Sequence, residues 1–195
     1  MTYYGSKNLA DSFRTVRKNT LTIANEIPEE QYGYKATPDV MSVGEILAHL
    51  AISPMWQIEV HSKKIDHIDF AFFGAHVQQA ALEEKALRTK ADIIRALTEN
   101  GETFAAFLES VDEATLASSV TFPPPIEPAS KSRFEMLLGP KEHEMHHRGA
   151  ADADPAADRP GSRADAAPPG VPRTSGRRRA VISYRTGGAD GGGCR

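Results

Sequence analysis

The chain changes character at Gly149. The 46 residues that follow contain no Leu, Phe, Met, Lys, Glu or His, yet hold eight of the chain's 15 glycines. Segments such as Ala-Ala-Pro-Pro-Gly-Val-Pro (166–172) cannot bury enough apolar surface to offset the entropy of ordering. Any core must therefore come from residues 1–149, and residues 150–195 are expected to be disordered. The formal net charge of −3 over 195 residues conceals the same break, with an excess of acid before it and of Arg after it. Arg177-Arg178-Arg179 reads as a solvated cluster in that tail rather than a nucleic-acid or membrane patch.

Several function classes drop out on composition. No apolar run approaches the ~18 residues of a membrane span. The N-terminus lacks the basic-then-apolar order of a secretory signal, so a cytoplasmic location is expected. Cys194 is the one cysteine, which excludes an internal disulfide framework and a Cys-based zinc site. The mildly acidic balance gives no electrostatic reason to expect nucleic acid as a partner.

Within residues 1–149 the apolar residues recur at helical spacing. A first helix is predicted from about Ser6 to Ile27, carried by Leu9, Phe13, Val16, Thr20, Ile23 and Ile27. Pro28 closes it, and Gly33 and Pro38 mark a connector. Ser42-Val43-Gly44-Glu45 fits a capping box and opens a second helix, whose stripe of Val43, Ile46, Leu47 and Leu50 continues toward Trp56 and Ile58 with a kink at Pro54. A loop is expected around Asp66–Gln79 and a third helix over about Leu82–Val111. A fourth begins near Ser130, after Pro123-Pro124-Pro125 and Pro128. Four long helices with short or medium connections predict an all-α, antiparallel four-helix bundle.

Three of the seven histidines lie within five residues: His143, His146 and His147. His143 and His147, four apart, share one helix face and suit a single divalent ion. His146, three from His143, is a geometric rival, and spacing does not choose between them. His49 lies at the border of the second helix's apolar stripe, where a lone histidine is usually a hydrogen-bonded boundary residue. It becomes a ligand candidate only if the bundle brings the second and fourth helices together. Glu142 and Glu144 read as solvated helix-surface carboxylates, the alternative for either being an acceptor that orients a ligand histidine. Arg148 suits either a surface ion pair or a contact to an anionic substrate. No Ser/His/Asp or Cys/His arrangement is present, nor a Gly-rich phosphate loop after a strand.

Ser-Val-Gly-Glu-Ile-Leu-Ala-His-Leu (42–50), followed by Lys-Glu-His-Glu-Met-His-His-Arg-Gly (141–149), resembles the DinB/YfiT-like superfamily of helical metalloproteins. The connector from Ile27 to Asp39 resembles that family's link between its first two helices. The likeness covers nearly all of residues 1–149 and none of the tail. It implies a four-helix bundle with a metal site of one histidine from the second helix and a His-x-x-x-His pair from the last. Carried over, these are His49, His143 and His147, with His146 a neighbour. The cofactor implied is a divalent ion (Zn, Ni, Mn or Fe), with positions left open for water or substrate. The implied activity is that of a transferase or hydrolase activating a thiol or water, with a small-molecule substrate, a low-molecular-weight thiol among the candidates. A non-catalytic metal-binding bundle or stress-associated interaction protein is the alternative. Dimerisation is common in the family, which makes a homodimer an expected assembly.

The family's last helix normally continues past Gly149 with apolar residues, whereas this chain turns to Ala-Ala-Asp-Ala-Asp-Pro (150–155). Reading from the second base of codon 150, the genetic code permits Gln-Leu-Met-Leu-Ile-Arg-Arg-Leu-Ile-Gly, an amphipathic helix, with no stop in its first nine positions. Residues 150–195 are read as the product of one extra base near codon 149, a crippled product of the gene, with a real, disordered extension as the rival. A helix so shortened loses two to three turns of apolar face, and each buried Leu, Ile or Met forfeits roughly 1.5–3 kcal/mol. Net stabilities are only about 5–15 kcal/mol, so a marginal fold is expected, frayed after Gly149 and strengthened by bound metal.

Overall fold

The structure, a computed structural model, describes residues 4–151. The expectations of disorder and fraying in the tail lie outside the described residues from residue 152 on. Seven helices and one small hairpin follow in order: α1 (Ser6–Glu26), α2 (Val43–Ile52), α3 (Met55–Ser62), α4 (Phe70–Ala86), α5 (Lys90–Ser110), α6 (Glu113–Ala117), β1 (Ser119–Thr121), β2 (Ser130–Ser132) and α7 (Arg133–Ala151). The strands pair antiparallel, with Val120 opposite Lys131. No helix among the described residues is long and apolar enough to cross a membrane.

The long helices α1, α2–α3, α5 and α7 form the bundle. Lys90 at the start of α5 donates to the carbonyls of Asn25 and Ile27 at the end of α1, while Phe13 meets Phe104 edge-on at 4.9 Å. α1 and α5 are therefore antiparallel. Tyr32 of the connector donates its hydroxyl to Ala24 O and takes the Gly44 N–H on its own carbonyl, so α2 starts at the same end as α5. α7 starts beside α1's beginning, where Phe134 meets Tyr4, and runs back past α2. The parallel neighbours α2 and α5 require a return crossover, and α4 supplies it.

Two apolar clusters fill the bundle. One gathers Ile46, Leu47, Leu50, Ile93 and Leu97. The other gathers Leu9, Phe13, Phe104, Leu108 and Leu137. Each fully buried side chain of this kind contributes about 1.5–3 kcal/mol. A smaller cluster of Val60, Ile68, Val120 and Met136 seats the hairpin against α3 and α7. Arg17 and Glu144, only 4% and 1% exposed, are a charged pair within the bundle. Arg17 Nε and Nη2 donate to the Glu144 carboxylate at 2.9–3.1 Å. Its Nη1 donates to Leu97 O at 2.8 Å and Nη2 to Leu50 O at 2.9 Å, so one guanidinium binds α7, α5 and α2 to α1. Room for it exists because residue 101 is glycine: a Cβ there would stand 2.9 Å from Arg17 Cγ.

Four sequence expectations change. The expected loop at 66–79 is largely α4, begun by Asp69, whose Oδ1 accepts the Phe72 N–H at 2.7 Å. The expected helix over 82–111 is broken at Leu87–Thr89, where Thr89 caps α5 by accepting the Asp92 N–H. The fourth helix starts at Arg133, because Ser130–Ser132 is spent on β2. Pro54 divides the second helix into α2 and α3 rather than merely kinking it.

Candidate metal centre

The capping box at Ser42 fixes where α2 begins, with Glu45 N–H to Ser42 Oγ at 3.2 Å and Ser42 N–H to Glu45 Oε2 at 2.6 Å. Seven residues on, His49 stands half-buried at the edge of the α2 stripe. Across from it α7 presents His143 and His147 one turn apart. The ring centroids are 4.9 Å (His49–His143), 5.2 Å (His49–His147) and 4.5 Å (His143–His147). One nitrogen from each lies within 4.8 Å of the others. His49 Nε2 and His143 Nε2 are 3.2 Å apart, close to the roughly 3.3 Å separating two nitrogens bound tetrahedrally at ~2.0–2.1 Å to one ion. His146 is exposed, stands against the His147 ring, and is not one of the three. Of the two rivals that spacing left open, His147 is the one whose ring nitrogen converges with those of His49 and His143.

The surroundings suit a cation. His49 Nδ1–H donates to Glu84 Oε1 of α4 at 2.8 Å, which fixes the ring's tautomer and leaves the Nε2 lone pair facing the other histidines. His143 Nδ1 lies 3.4 Å from Ser53 Oγ. Burial, reinforced by the neighbouring imidazoles of His147, His49 and His146, pushes His143 down to about 4. His147 is lowered by burial first and then by His49 and His146. Both rings are therefore neutral near pH 7, the form that ligates metal.

Glu84 lies in a segment whose register the sequence reading split between a loop and the next helix, so its approach to His49 was missed. The only local signal was the Asp69 cap, which sets α4 in register. Glu144, expected at the solvated surface, is instead the buried partner of Arg17. Glu142 is exposed as expected. Arg148 makes no surface ion pair among the described residues, and its shielded Nη1 has no hydrogen-bond partner among them.

A cavity of about 420 Å³ opens beside His49 and His143 between α3, α4 and α7. A second, of about 730 Å³, lies on the far side of Glu84 and contains no histidine; its Lys35 is paired with Glu45.

Three convergent imidazoles between the second and last helices of a four-helix bundle define a candidate divalent-metal protein. The chain belongs to the DinB superfamily, whose sequence model matches residues 12–151. It is similar in fold to the crystal structure of a DinB-like protein from Bacillus subtilis, with a TM-score of 0.55 and 21% identity, covering 74% of this chain and 86% of that one. No curated protein matches it.

Proposed function

We propose that this chain is a metal-dependent DinB enzyme of transferase or hydrolase type, with His49, His143 and His147 as the ligands of one divalent ion. The observation that carries the reading is the convergence of three imidazole nitrogens within 4.8 Å, one of whose rings is oriented by a carboxylate. A divalent ion held there supplies Lewis acidity, with coordination positions left for water or a thiol. Glu84 holds the His49 proton on Nδ1 and makes Nε2 the better donor. Burial keeps His143 neutral, and Ser53 stands at its other nitrogen. Among the described residues Glu84 is the one carboxylate lining the cavity beside His49 and His143, which makes it the group positioned to hold or pass a proton there.

Metal analysis of the purified chain and of His49→Ala, His143→Ala and His147→Ala tests the ligand set: stoichiometric metal should be lost in each. A screen pairing low-molecular-weight thiols with small electrophiles then tests the activity, and metal without turnover would favour the non-catalytic bundle. A homodimer and a cytoplasmic setting belong to the same proposal, the first testable by size-exclusion chromatography with light scattering.

The family match ends at residue 151, two residues past the break in composition. This supports residues 1–149 as the DinB domain; for the remainder we keep the frame-shifted tail as the reading, with a real extension as its rival. The DNA around codon 149 decides it, since the idea requires the shifted frame to encode an apolar helix.

A further inference from the structure

The geometry points to a two-lobed groove leading away from the three histidines, built for a small molecule with a metal-binding head and an elongated apolar tail. The inference rests on the metal reading above and adds the class of substrate. The cavity of about 420 Å³ beside His49 and His143 shares Trp56, Gln57, Phe73 and Gly139 with a second cavity of about 320 Å³. The two therefore meet across the Trp56–Phe73 pair, whose rings stand edge-on at 6.1 Å. The far lobe is walled by Phe70, Phe122, Ile126, Pro128 and Met136. Each volume falls in the range of small-molecule sites.

The polar groups along the near wall and the junction are already engaged. Gln57 accepts from His61 and donates to Met136 O, and His76 is held between Phe72 O and Glu59. Glu84 is taken by His49. In the far lobe, Asp69 caps α4 and Glu135 accepts from Ser132. Apart from the exposed Glu127 and Lys131 at the far lobe, what these walls offer a ligand is van der Waals surface, which selects an aryl or alkyl body over a polar one. The same geometry accounts for α4, which carries no buried residue yet displays Phe70, Phe73 and Val77 on one face: these side chains line the groove. Gly139 lies at the junction, and a Cβ built there meets nothing within 4 Å. A side chain at 139 therefore starts from open space at the junction of the two lobes.

The test uses the full chain loaded with zinc, titrated with straight-chain hydroxamic acids from acetohydroxamate to octanohydroxamate. Calorimetry and the fluorescence of Trp56, the one tryptophan, read binding. Affinity should rise about fourfold per methylene until the groove is filled. Gly139→Leu should keep wild-type zinc stoichiometry and helicity but lose at least tenfold in octanohydroxamate affinity. Phe73→Ala, at an exposed wall position, should weaken the same long-chain ligands. Stoichiometric zinc with octanohydroxamate bound within twofold of acetohydroxamate would overturn the groove alone, as would a folded Gly139→Leu protein that keeps the long-chain gain. Failure of the wild-type chain to take up zinc would overturn the metal reading, and this one with it.

Discussion

Two faces of α7, one residue apart in sequence, treat polar side chains in opposite ways. Glu144 points into the bundle, where Arg17 meets it with three short hydrogen bonds and both lie almost wholly out of solvent. His143 and His147 point toward α2, where three rings crowd together with only one carboxylate, Glu84, among them. The first face is closed: charge is matched and the guanidinium also binds two backbone carbonyls. The second is open: it turns imidazole nitrogens toward one another, His49 Nε2 and His143 Nε2 standing 3.2 Å apart, with no cationic partner of their own among the described residues. A buried polar network whose members satisfy one another holds the fold, whereas convergent lone pairs ask for a cation. The closed face also fixes the open one, since locking Glu144 sets the rotation of α7 that aims His143 at His49.

The strongest break of this contrast is Glu144→Ala. It leaves the Arg17 charge buried and unpaired, at an expected cost of about 3–5 kcal/mol, read as a fall in the urea midpoint or outright unfolding. Arg17→Met combined with Glu144→Leu should recover most of that loss, because well-packed apolar substitutes often match a buried ion pair.

Acid should act next, through the buried His61. Its Nδ1 accepts from Arg133 at 3.1 Å and its Nε2–H donates to Gln57 at 2.8 Å, and burial followed by the Arg133 charge pushes it down to about 4. The unfolded chain takes up a proton near pH 6.5 that the folded one refuses until about 4. Stability is therefore full above 6.5 and is lost as pH falls toward 4, with His143 acting in the same direction. Unfolding free energies from urea titrations at pH 7 and 5 should differ by on the order of 2 kcal/mol.

Glu84→Gln sharpens the open face: metal affinity should drop about 10–100-fold while the metal-free protein keeps its melting temperature. Gly101→Ala probes the closed face more gently. The added methyl crowds Arg17 Cγ at 2.9 Å, and after the helix-propensity gain a net loss of about 1 kcal/mol is expected by thermal melting.

The sequence made the local features legible. The capping box at Ser42 and Glu45 forms as its spacing predicts, and the α1 stripe of Leu9, Phe13 and Val16 is buried as its period predicts. The i, i+4 pair on α7 was visible for the same reason, because helical spacing alone places both rings on one face. α4 was not legible although Phe70, Phe73 and Val77 keep helical spacing, because that short stripe faces an open groove and buries nothing against the core. Its join to α5 did carry a signal: Thr89 and Asp92 keep the Thr-x-x-Asp spacing of a helix start. Arg17–Glu144 and His49–Glu84 join residues distant along the chain, and nothing in local pattern marks such a partner. The tie between His49 and His143 came from family resemblance rather than from spacing, and the ring positions now give it geometry.

The choice between His146 and His147 tests the account most directly, because the two are adjacent in sequence and differ only in the face they occupy. Metal content should be measured on the purified wild-type chain, His146→Ala and His147→Ala after loading and dialysis. One divalent ion per chain in the wild type and in His146→Ala, with loss in His147→Ala, is the predicted result. Equal retention in both variants, or equal loss, would contradict it.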